Sequence, residues 1–128
     1  MFGGTTNQDA RRVFLVEDSR AMQDTLTAIL GRMSHLRLVG VAETAGEALD
    51  GFTTLQPDLV VLDLALREGS GLDVLQAIKR RRPECQVFVF TSHDSEPYRA
   101  RCLAAGADRF YSKARQHREL IDELRIHL

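Results

Sequence analysis

Five polar side chains in this sequence stand at the ends of apolar segments. They are Glu17, Asp18, Asp63, Thr91 and Lys113. Carboxylate oxygens are the ligands that Mg²⁺ prefers, and a carboxylate can also act as a nucleophile. An amine and a hydroxyl can hold the oxygens of a phosphoryl group. Together these side chains have the chemistry for phosphoryl transfer onto an aspartate, provided that the fold brings them to one place.

Asp63 is the central member of this set, because it follows the run Leu-Val-Val-Leu at residues 59–62. Four branched aliphatic residues without alternation are typical of a strand that is buried on both faces of a parallel sheet. The carboxyl end of such a strand is where open α/β sheets bind ligands. For Asp63 alone, a loop-capping role would be the simpler explanation. The other three strand ends favour a shared site.

The elements that must position these side chains alternate along the chain. Strands are predicted at residues 13–16, 36–41, 59–63, 87–90 and 108–113. Helices are predicted at residues 19–33, 44–55, 72–82, 95–106 and 115–128. Ser19 can cap the first helix, Thr44 and Glu47 fit a capping box, Pro57 ends the second helix, and Gly106 suits the position after the fourth.

This alternation predicts an α/β fold, a doubly wound five-stranded parallel sheet in a flavodoxin-like, three-layer α/β/α arrangement. The second strand is short and alternating, which suits a sheet edge, so the expected strand order is 2-1-3-4-5. In that order the ends of strands one and three lie side by side. Three carboxylates brought together there would repel one another, and a divalent cation would relieve the repulsion.

Length and composition limit the other possibilities. The chain has 128 residues, 44% hydrophobic residues and a net charge of −1. We expect a flexible tail at residues 1–10 and one domain at 11–128. The charge gives no global attraction to nucleic acid or to an anionic membrane, and no apolar run has membrane-spanning length. A signal-peptide pattern is also missing, so we expect a cytoplasmic protein.

Three local features have simple structural explanations. The basic run at residues 79–82 precedes Pro83, which indicates cations at a helix C-terminus more than a nucleic-acid surface. Cys85 and Cys102 lack metal-site spacing, so we interpret them as structural thiols. The four histidines show no zinc-binding pattern.

Several motifs occur together in a characteristic order. They are Phe-Leu-Val-Glu-Asp at 14–18, Val-Val-Leu-Asp-Leu at 60–64, Ser-Gly-Leu-Asp at 70–73, Phe-Thr-Ser at 90–92, and Ala-Gly-Ala-Asp through Lys at 105–113. In these motifs the chain resembles the receiver domain of two-component response regulators, the family of the bacterial chemotaxis receiver. The resemblance covers about residues 11 to 128.

The resemblance implies a role for each candidate residue. Asp63 would accept a phosphoryl group from a sensor histidine kinase or a phosphotransfer protein. Mg²⁺ would be bound by the carboxylates of Asp18 and Asp63 and by the backbone carbonyl of Ala65, with Glu17 acting indirectly. Thr91 and Lys113 would hold the phosphoryl oxygens. Phe110 occupies the aromatic switch position of the family and would respond to Thr91.

The resemblance also implies what such a chain does with the phosphoryl group. It would promote only its own phosphorylation and dephosphorylation, and would not be an enzyme acting on other substrates. The face formed by the fourth helix, fifth strand and fifth helix would contact a downstream protein or a second copy of the chain. We expect no direct binding of nucleic acid and no membrane contact.

The sequence departs from the family in one place, because Ala114 stands where a cis proline usually follows the lysine. A cis bond before a residue other than proline costs about 2.5–4 kcal/mol, so we expect Lys113–Ala114 to be trans.

Two alternatives stay open: a receiver taken from a longer DNA-binding regulator, and a receiver-like scaffold that is never phosphorylated. An aspartyl phosphatase is disfavoured because no second acid stands two residues after Asp63, and a flavodoxin because residues 17–20 are acidic where a phosphate-binding loop should be.

Overall fold

A computed structural model describes residues 10–126, and within them the strands form one parallel sheet. The strand order is β2-β1-β3-β4-β5, which confirms the predicted topology. The strands are β1 (Arg11–Val16), β2 (Leu36–Ala42), β3 (Leu59–Leu62), β4 (Gln86–Thr91) and β5 (Arg109–Ser112). All four residues of β3 are buried, as their uninterrupted apolar pattern predicts.

Helices alternate with the strands: α1 (Arg20–Leu30), α2 (Ala45–Leu55), α3 (Gly71–Arg81), α4 (Glu96–Ala104) and α5 (His117–Ile126). The predicted cap of α1 is present, because the Ser19 hydroxyl accepts a hydrogen bond from the Met22 amide at 3.2 Å. Thr44 likewise accepts from the Glu47 amide at 3.1 Å. The Glu47 carboxylate, however, accepts from the Glu43 amide and not from Thr44, so the capping box is only half formed.

Two apolar clusters lie on opposite faces of the sheet, because alternate residues of each strand point to opposite sides. On one face, Phe14 and Val60 pack with side chains of α2, α3 and α4. On the other face, Leu15 and Val61 pack with side chains of α1 and α5. The three predicted layers are therefore present, and the carboxyl ends of the strands meet at one edge of the sheet.

The ends of the chain and the loops add three details. Of the predicted N-terminal tail, only Ala10 lies within the described residues, and it is buried; residues 1–9, 127 and 128 lie outside them. Among the described residues no peptide bond is cis, so the Lys113–Ala114 bond is trans as predicted. None of the helices in the described part of the chain is long and apolar enough to cross a membrane.

Candidate functional site

Glu17 follows β1 and is 2% exposed, although it carries a carboxylate. Its Oε1 lies 2.7 Å from the Lys113 Nζ, and its Oε2 accepts a hydrogen bond from the Ser19 amide at 2.9 Å. The next residue, Asp18, is exposed. The end of β1 therefore places one buried acid and one exposed acid beside each other.

Asp63 follows β3 and is 5% exposed. Its backbone amide donates to the Val16 carbonyl at 2.9 Å, which fixes the end of β3 against the end of β1. Its Oδ2 lies 2.8 Å from the Lys113 Nζ, and its Oδ1 accepts from the Ala65 amide at 3.2 Å. The aspartate is thus held in a single orientation by a cation on one oxygen and a backbone amide on the other.

The loop after Asp63 can run close to α3 because residue 71 is a glycine. The Gly71 amide donates to the Leu64 carbonyl at 3.0 Å. A Cβ at this position would collide with the Asp63 carbonyl oxygen and with the Leu64 Cα. Glycine is therefore required here for close backbone approach.

Lys113 follows β5 and connects the two buried acids. Its Nζ contacts both Glu17 and Asp63, and its side chain is 15% exposed. Its backbone amide donates to the Thr91 carbonyl at 2.9 Å, so β4 fixes the position of the Lys113 backbone. One ammonium thus neutralises part of the charge of two carboxylates.

This sharing explains the direction of the pKa shifts. Burial raises the pKa of Glu17, and the hydrogen bond and charge of Lys113, which is divided between two acids, do not fully offset it. For Lys113, burial acts to lower the pKa, but the hydrogen bonds and charges of Asp63 and Glu17 outweigh it, so the pKa is raised. Lys113 therefore stays protonated at neutral pH.

The acidic cluster has the donor chemistry of a divalent-cation site. One carboxylate oxygen from each of Glu17, Asp18 and Asp63 lies within 4.8 Å of the others. Three carboxylates against one ammonium leave the cluster with excess negative charge. Hard oxygen donors with uncompensated charge fit Mg²⁺. The assignment of Asp18, Asp63 and the Ala65 carbonyl as ligands, and of Glu17 as an indirect one, stays a prediction.

Thr91 is fully buried at the end of β4, next to β3. Its hydroxyl oxygen accepts from the His93 amide at 3.1 Å. Phe110 is 8% exposed and belongs to the core cluster under α2, α3 and α4. Because the ring is already buried, an inward rotation would remove little further area from water. Any switch through Phe110 would therefore be a shift within a packed core.

Sequence reasoning missed one side chain that supports the site. Gln23 of α1 is buried, and its amide nitrogen donates to the Glu17 carbonyl at 2.7 Å and to the Glu43 carboxylate at 2.9 Å. It therefore fixes the backbone of the first acidic residue. The available signal was a polar residue three positions before Leu26, on the buried face of the helix.

The comparisons with known proteins agree with this architecture. The family model described as "Response regulator receiver domain" matches residues 13–125. The chain is 28% identical over 115 residues to the response regulator GacA of Pseudomonas viridiflava, which is 90% of this chain and 54% of that protein. It is 30% identical over 102 residues to the DNA-binding transcriptional activator DevR/DosR of Mycobacterium tuberculosis, which is 80% of this chain and 47% of that protein.

A solved structure gives the same result. The response regulator domain of Thermotoga maritima CheB superposes with a TM-score of 0.81 at 26% identity, covering 90% of each chain. The chain spans about half the length of the curated relatives just described. What those relatives do beyond the matched region is a property of those proteins.

Proposed function

The chain belongs to the response regulator receiver domain family, and from that premise we propose that it is a phosphorylation-dependent switch in which Asp63 accepts the phosphoryl group. The observation that carries this proposal is the position of Asp63. It stands at the end of the buried β3, 2.8 Å from the Lys113 ammonium and within 4.8 Å of two further acids. A scaffold without this chemistry would have no need to hold three carboxylates together, because they repel one another.

The proposed step is an in-line displacement at phosphorus. A carboxylate oxygen of Asp63 attacks the phosphorus of a phosphohistidine on a sensor histidine kinase or phosphotransfer protein. A phosphorus–oxygen bond forms, the phosphorus–nitrogen bond breaks, and its electron pair leaves with the imidazole. Lys113 and the Thr91 hydroxyl hold the phosphoryl oxygens in this scheme.

The same site would hold Mg²⁺ through the carboxylates of Asp18 and Asp63 and the carbonyl of Ala65, with Glu17 acting indirectly. A bound Mg²⁺ supplies neutralisation of the charge on the phosphoryl oxygens and brings them near the aspartate. The residues of the chain provide the rest. The Ala65 amide and Lys113 orient Asp63, and Glu17 contacts the same Lys113 ammonium at 2.7 Å.

We propose that the phosphorylated state is recognised through the face built from α4, β5 and α5. Thr91 would respond first, because its hydroxyl is a donor near the new phosphoryl group, and Phe110 would adjust behind it. The partner that binds this face would be a downstream protein or a second copy of the chain, in the cytoplasm. Direct contact with nucleic acid or with a membrane is not part of this proposal.

A second candidate function is that this receiver regulates a DNA-binding segment of a longer protein. It is favoured by one observation: the relative DevR/DosR is a DNA-binding transcriptional activator, and this chain spans 47% of its length. The coding sequence around the gene tests it directly. An adjoining in-frame helix-turn-helix segment supports it, and flanking stop codons contradict it.

The phosphoacceptor is tested with acetyl phosphate and Mg²⁺, followed by intact mass measurement. Wild type should gain one phosphoryl group that hydroxylamine removes, and Asp63→Asn should gain none. The matched control is Asp73→Asn, which changes an exposed acid on α3. It should be labelled like wild type. An unlabelled wild type would favour the scaffold alternative, and a labelled Asp63→Asn variant would move the acceptor elsewhere.

A further inference from the structure

The loop after β4 is connected to the loop after β5 by a set of side-chain hydrogen bonds centred on Ser112. The Ser112 hydroxyl donates to the Asp94 Oδ2 and accepts from the Arg115 amide at 3.3 Å. The Ser112 amide donates to the Gln116 Oε1 at 3.0 Å, and the Ser112 carbonyl accepts from the Gln116 amide at 2.8 Å. Ser112 is buried, and each of its polar groups has a hydrogen-bond partner among these contacts.

Both ends of this connection adjoin residues of the candidate site. Asp94 follows His93, whose amide donates to the Thr91 hydroxyl at 3.1 Å. Ser112 directly precedes Lys113, whose amide donates to the Thr91 carbonyl at 2.9 Å. The hydrogen bond between Asp94 and Ser112 thus closes a ring that contains the backbone of both Thr91 and Lys113.

Asp94 lies one residue before the N-cap of α4. An aspartate at the N-cap itself commonly caps the free amides of the first turn. The residue at the N-cap of α4 is Ser95, and its side chain makes no capping hydrogen bond. The Asp94 carboxylate instead contacts Ser112 and, at 3.6 Å, the Arg115 guanidinium. It is directed at the loop that carries Lys113.

The protonation state of Asp94 is consistent with this contact. The hydrogen bond from Ser112 lowers the pKa of the Asp94 carboxyl, and the charge of Arg115 also lowers it. The carboxylate is therefore ionised at neutral pH and accepts the hydrogen bond that the Ser112 hydroxyl donates. A charged acceptor makes a stronger hydrogen bond than a neutral one.

We propose that Asp94 is a positioning residue for phosphoryl transfer, which fixes Lys113 relative to Thr91 by holding Ser112. The inference rests on the proposed function of Asp63, since it concerns the same reaction. Asp94 does not touch the reacting atoms. It acts by limiting the positions that the backbone before Lys113 can adopt, and a small misplacement of such a group lowers the rate of the chemical step.

The test compares initial rates of phosphorylation by acetyl phosphate at saturating Mg²⁺ across a series of donor concentrations. The variants are Asp94→Ala, Asp94→Asn, Ser112→Ala and the double alanine variant. Asp94 is 28% exposed, so its truncation leaves no core cavity. The matched control is Glu96→Ala, which removes a neighbouring exposed acid that forms an ion pair with Arg99.

We expect Asp94→Ala to lower the saturating rate about tenfold with the half-saturating donor concentration unchanged, as for an interaction that matters in the transition state. Asp94→Asn keeps an acceptor for Ser112 and should stay near wild type. The double variant should be no slower than Asp94→Ala, because the two residues act as a unit. Hydrogen exchange should become faster at the Lys113 amide in Asp94→Ala and not in Glu96→Ala.

Three results overturn the positioning role while leaving Asp63 as the phosphoacceptor. They are a normal rate in Asp94→Ala, a loss of rate that merely follows the unfolded fraction, and additive losses in the double variant. A wild-type chain that takes no phosphoryl group overturns the proposed function and this inference with it.

Discussion

Replacing Lys113 by methionine removes the cation shared by Glu17 and Asp63. Methionine keeps most of the volume of the aliphatic stem, so the change is mainly one of charge. The two acids are 2% and 5% exposed, and Lys113 lies within 2.8 Å of both. The variant therefore leaves two buried carboxylates beside the exposed Asp18 without any compensating charge at this contact.

The loss of stability can be bounded in two ways. Breaking a buried ion pair by removing one partner costs about 3–5 kcal/mol. A carboxylate can avoid part of that penalty by taking up a proton, and doing so at pH 7 costs about 3 kcal/mol for a glutamate of ordinary pKa. We therefore expect the free energy of unfolding of Lys113→Met to fall by about 3 kcal/mol at pH 7 without Mg²⁺.

The pH dependence has a definite sign. Burial already raises the pKa of Glu17 above its ordinary 4.5, and loss of Lys113 raises that pKa further. Between 4.5 and the folded-state pKa, the folded state then binds more protons than the unfolded state, so stability increases as the pH falls through that window. The deficit of the variant relative to wild type should shrink from pH 7.5 to pH 5.5. Above pH 10.5 the stability difference shrinks for another reason. Wild type itself then loses the stabilisation from Lys113 as the pH rises through the raised pKa of that lysine.

The assay is denaturant unfolding at pH 7.5, 6.5 and 5.5, with and without Mg²⁺. Removing a positive charge from the cluster should increase the stabilisation by Mg²⁺ relative to wild type. Lys79→Met is the matched control, because Lys79 is 13% exposed and pairs at 2.8 Å with Asp108, away from the site. It should lose stability without gaining any response to Mg²⁺. A Lys113→Met deficit that is constant with pH, or a Mg²⁺ response equal to that of wild type, would refute the reasoning.

Two further predictions concern the glycine beside Asp63 and the buried thiols. Gly71→Ala should lower the free energy of unfolding by about 1–3 kcal/mol or more, since its Cβ meets the backbone of Asp63. For Gly46→Ala, whose Cβ meets nothing within 4 Å, the free energy of unfolding should rise by up to about 1 kcal/mol in the same denaturant melts. Equal changes at the two positions would contradict the expected steric collision at residue 71. Burial raises the pKa of Cys85 to about 11 and also raises the pKa of Cys102. Both thiols should therefore resist alkylation at pH 8 in the native chain and react in denaturant. Rapid alkylation of the native chain would contradict their burial.

The sheet and its order could be predicted because the apolar pattern records burial directly. Residues 59–62 are apolar without interruption, and in the structure β3 lies between β1 and β4 with both faces covered. The sheet in turn predicts that Asp63 and Lys113 lie near each other, since a parallel sheet brings the carboxyl ends of its strands to one edge. Their direct contact is a consequence of topology, although the two residues are 50 positions apart.

Other contacts could not be predicted because they join loop residues that follow no period. Asp94 and Ser112 are 18 positions apart, and nothing in either segment indicates that one holds the other. The basic run at residues 79–82 predicts that Lys79 acts as a cation at a helix end. In the structure its ammonium donates to the carbonyls of Pro83 and Cys85 and to the Asp108 carboxylate, so it also connects the end of α3 to the starts of β4 and β5. A side chain's charge predicts its kind of partner, but the loop path selects which partner it meets.

The sharing of Lys113 suggests how a change at Asp63 would reach α4. A phosphoryl group carries about 1.5–2 negative charges and three acceptor oxygens, while the Asp63 carboxylate loses its own charge when the mixed anhydride forms. The Lys113 ammonium would therefore meet a stronger partner than the present carboxylate and would move toward it and away from Glu17. Lys113 is covalently continuous with Ser112, and Ser112 holds Asp94, two residues before the start of α4. The displacement would therefore act on α4 through hydrogen bonds of the loops, without requiring that Phe110 enter space it does not already fill. Through this second route, beside the one through Thr91 and Phe110, Asp94→Ala should weaken the response of α4 to phosphorylation even where those two residues are intact. Amide chemical shifts of α4 that respond to beryllofluoride equally in wild type and in Asp94→Ala would place the coupling elsewhere.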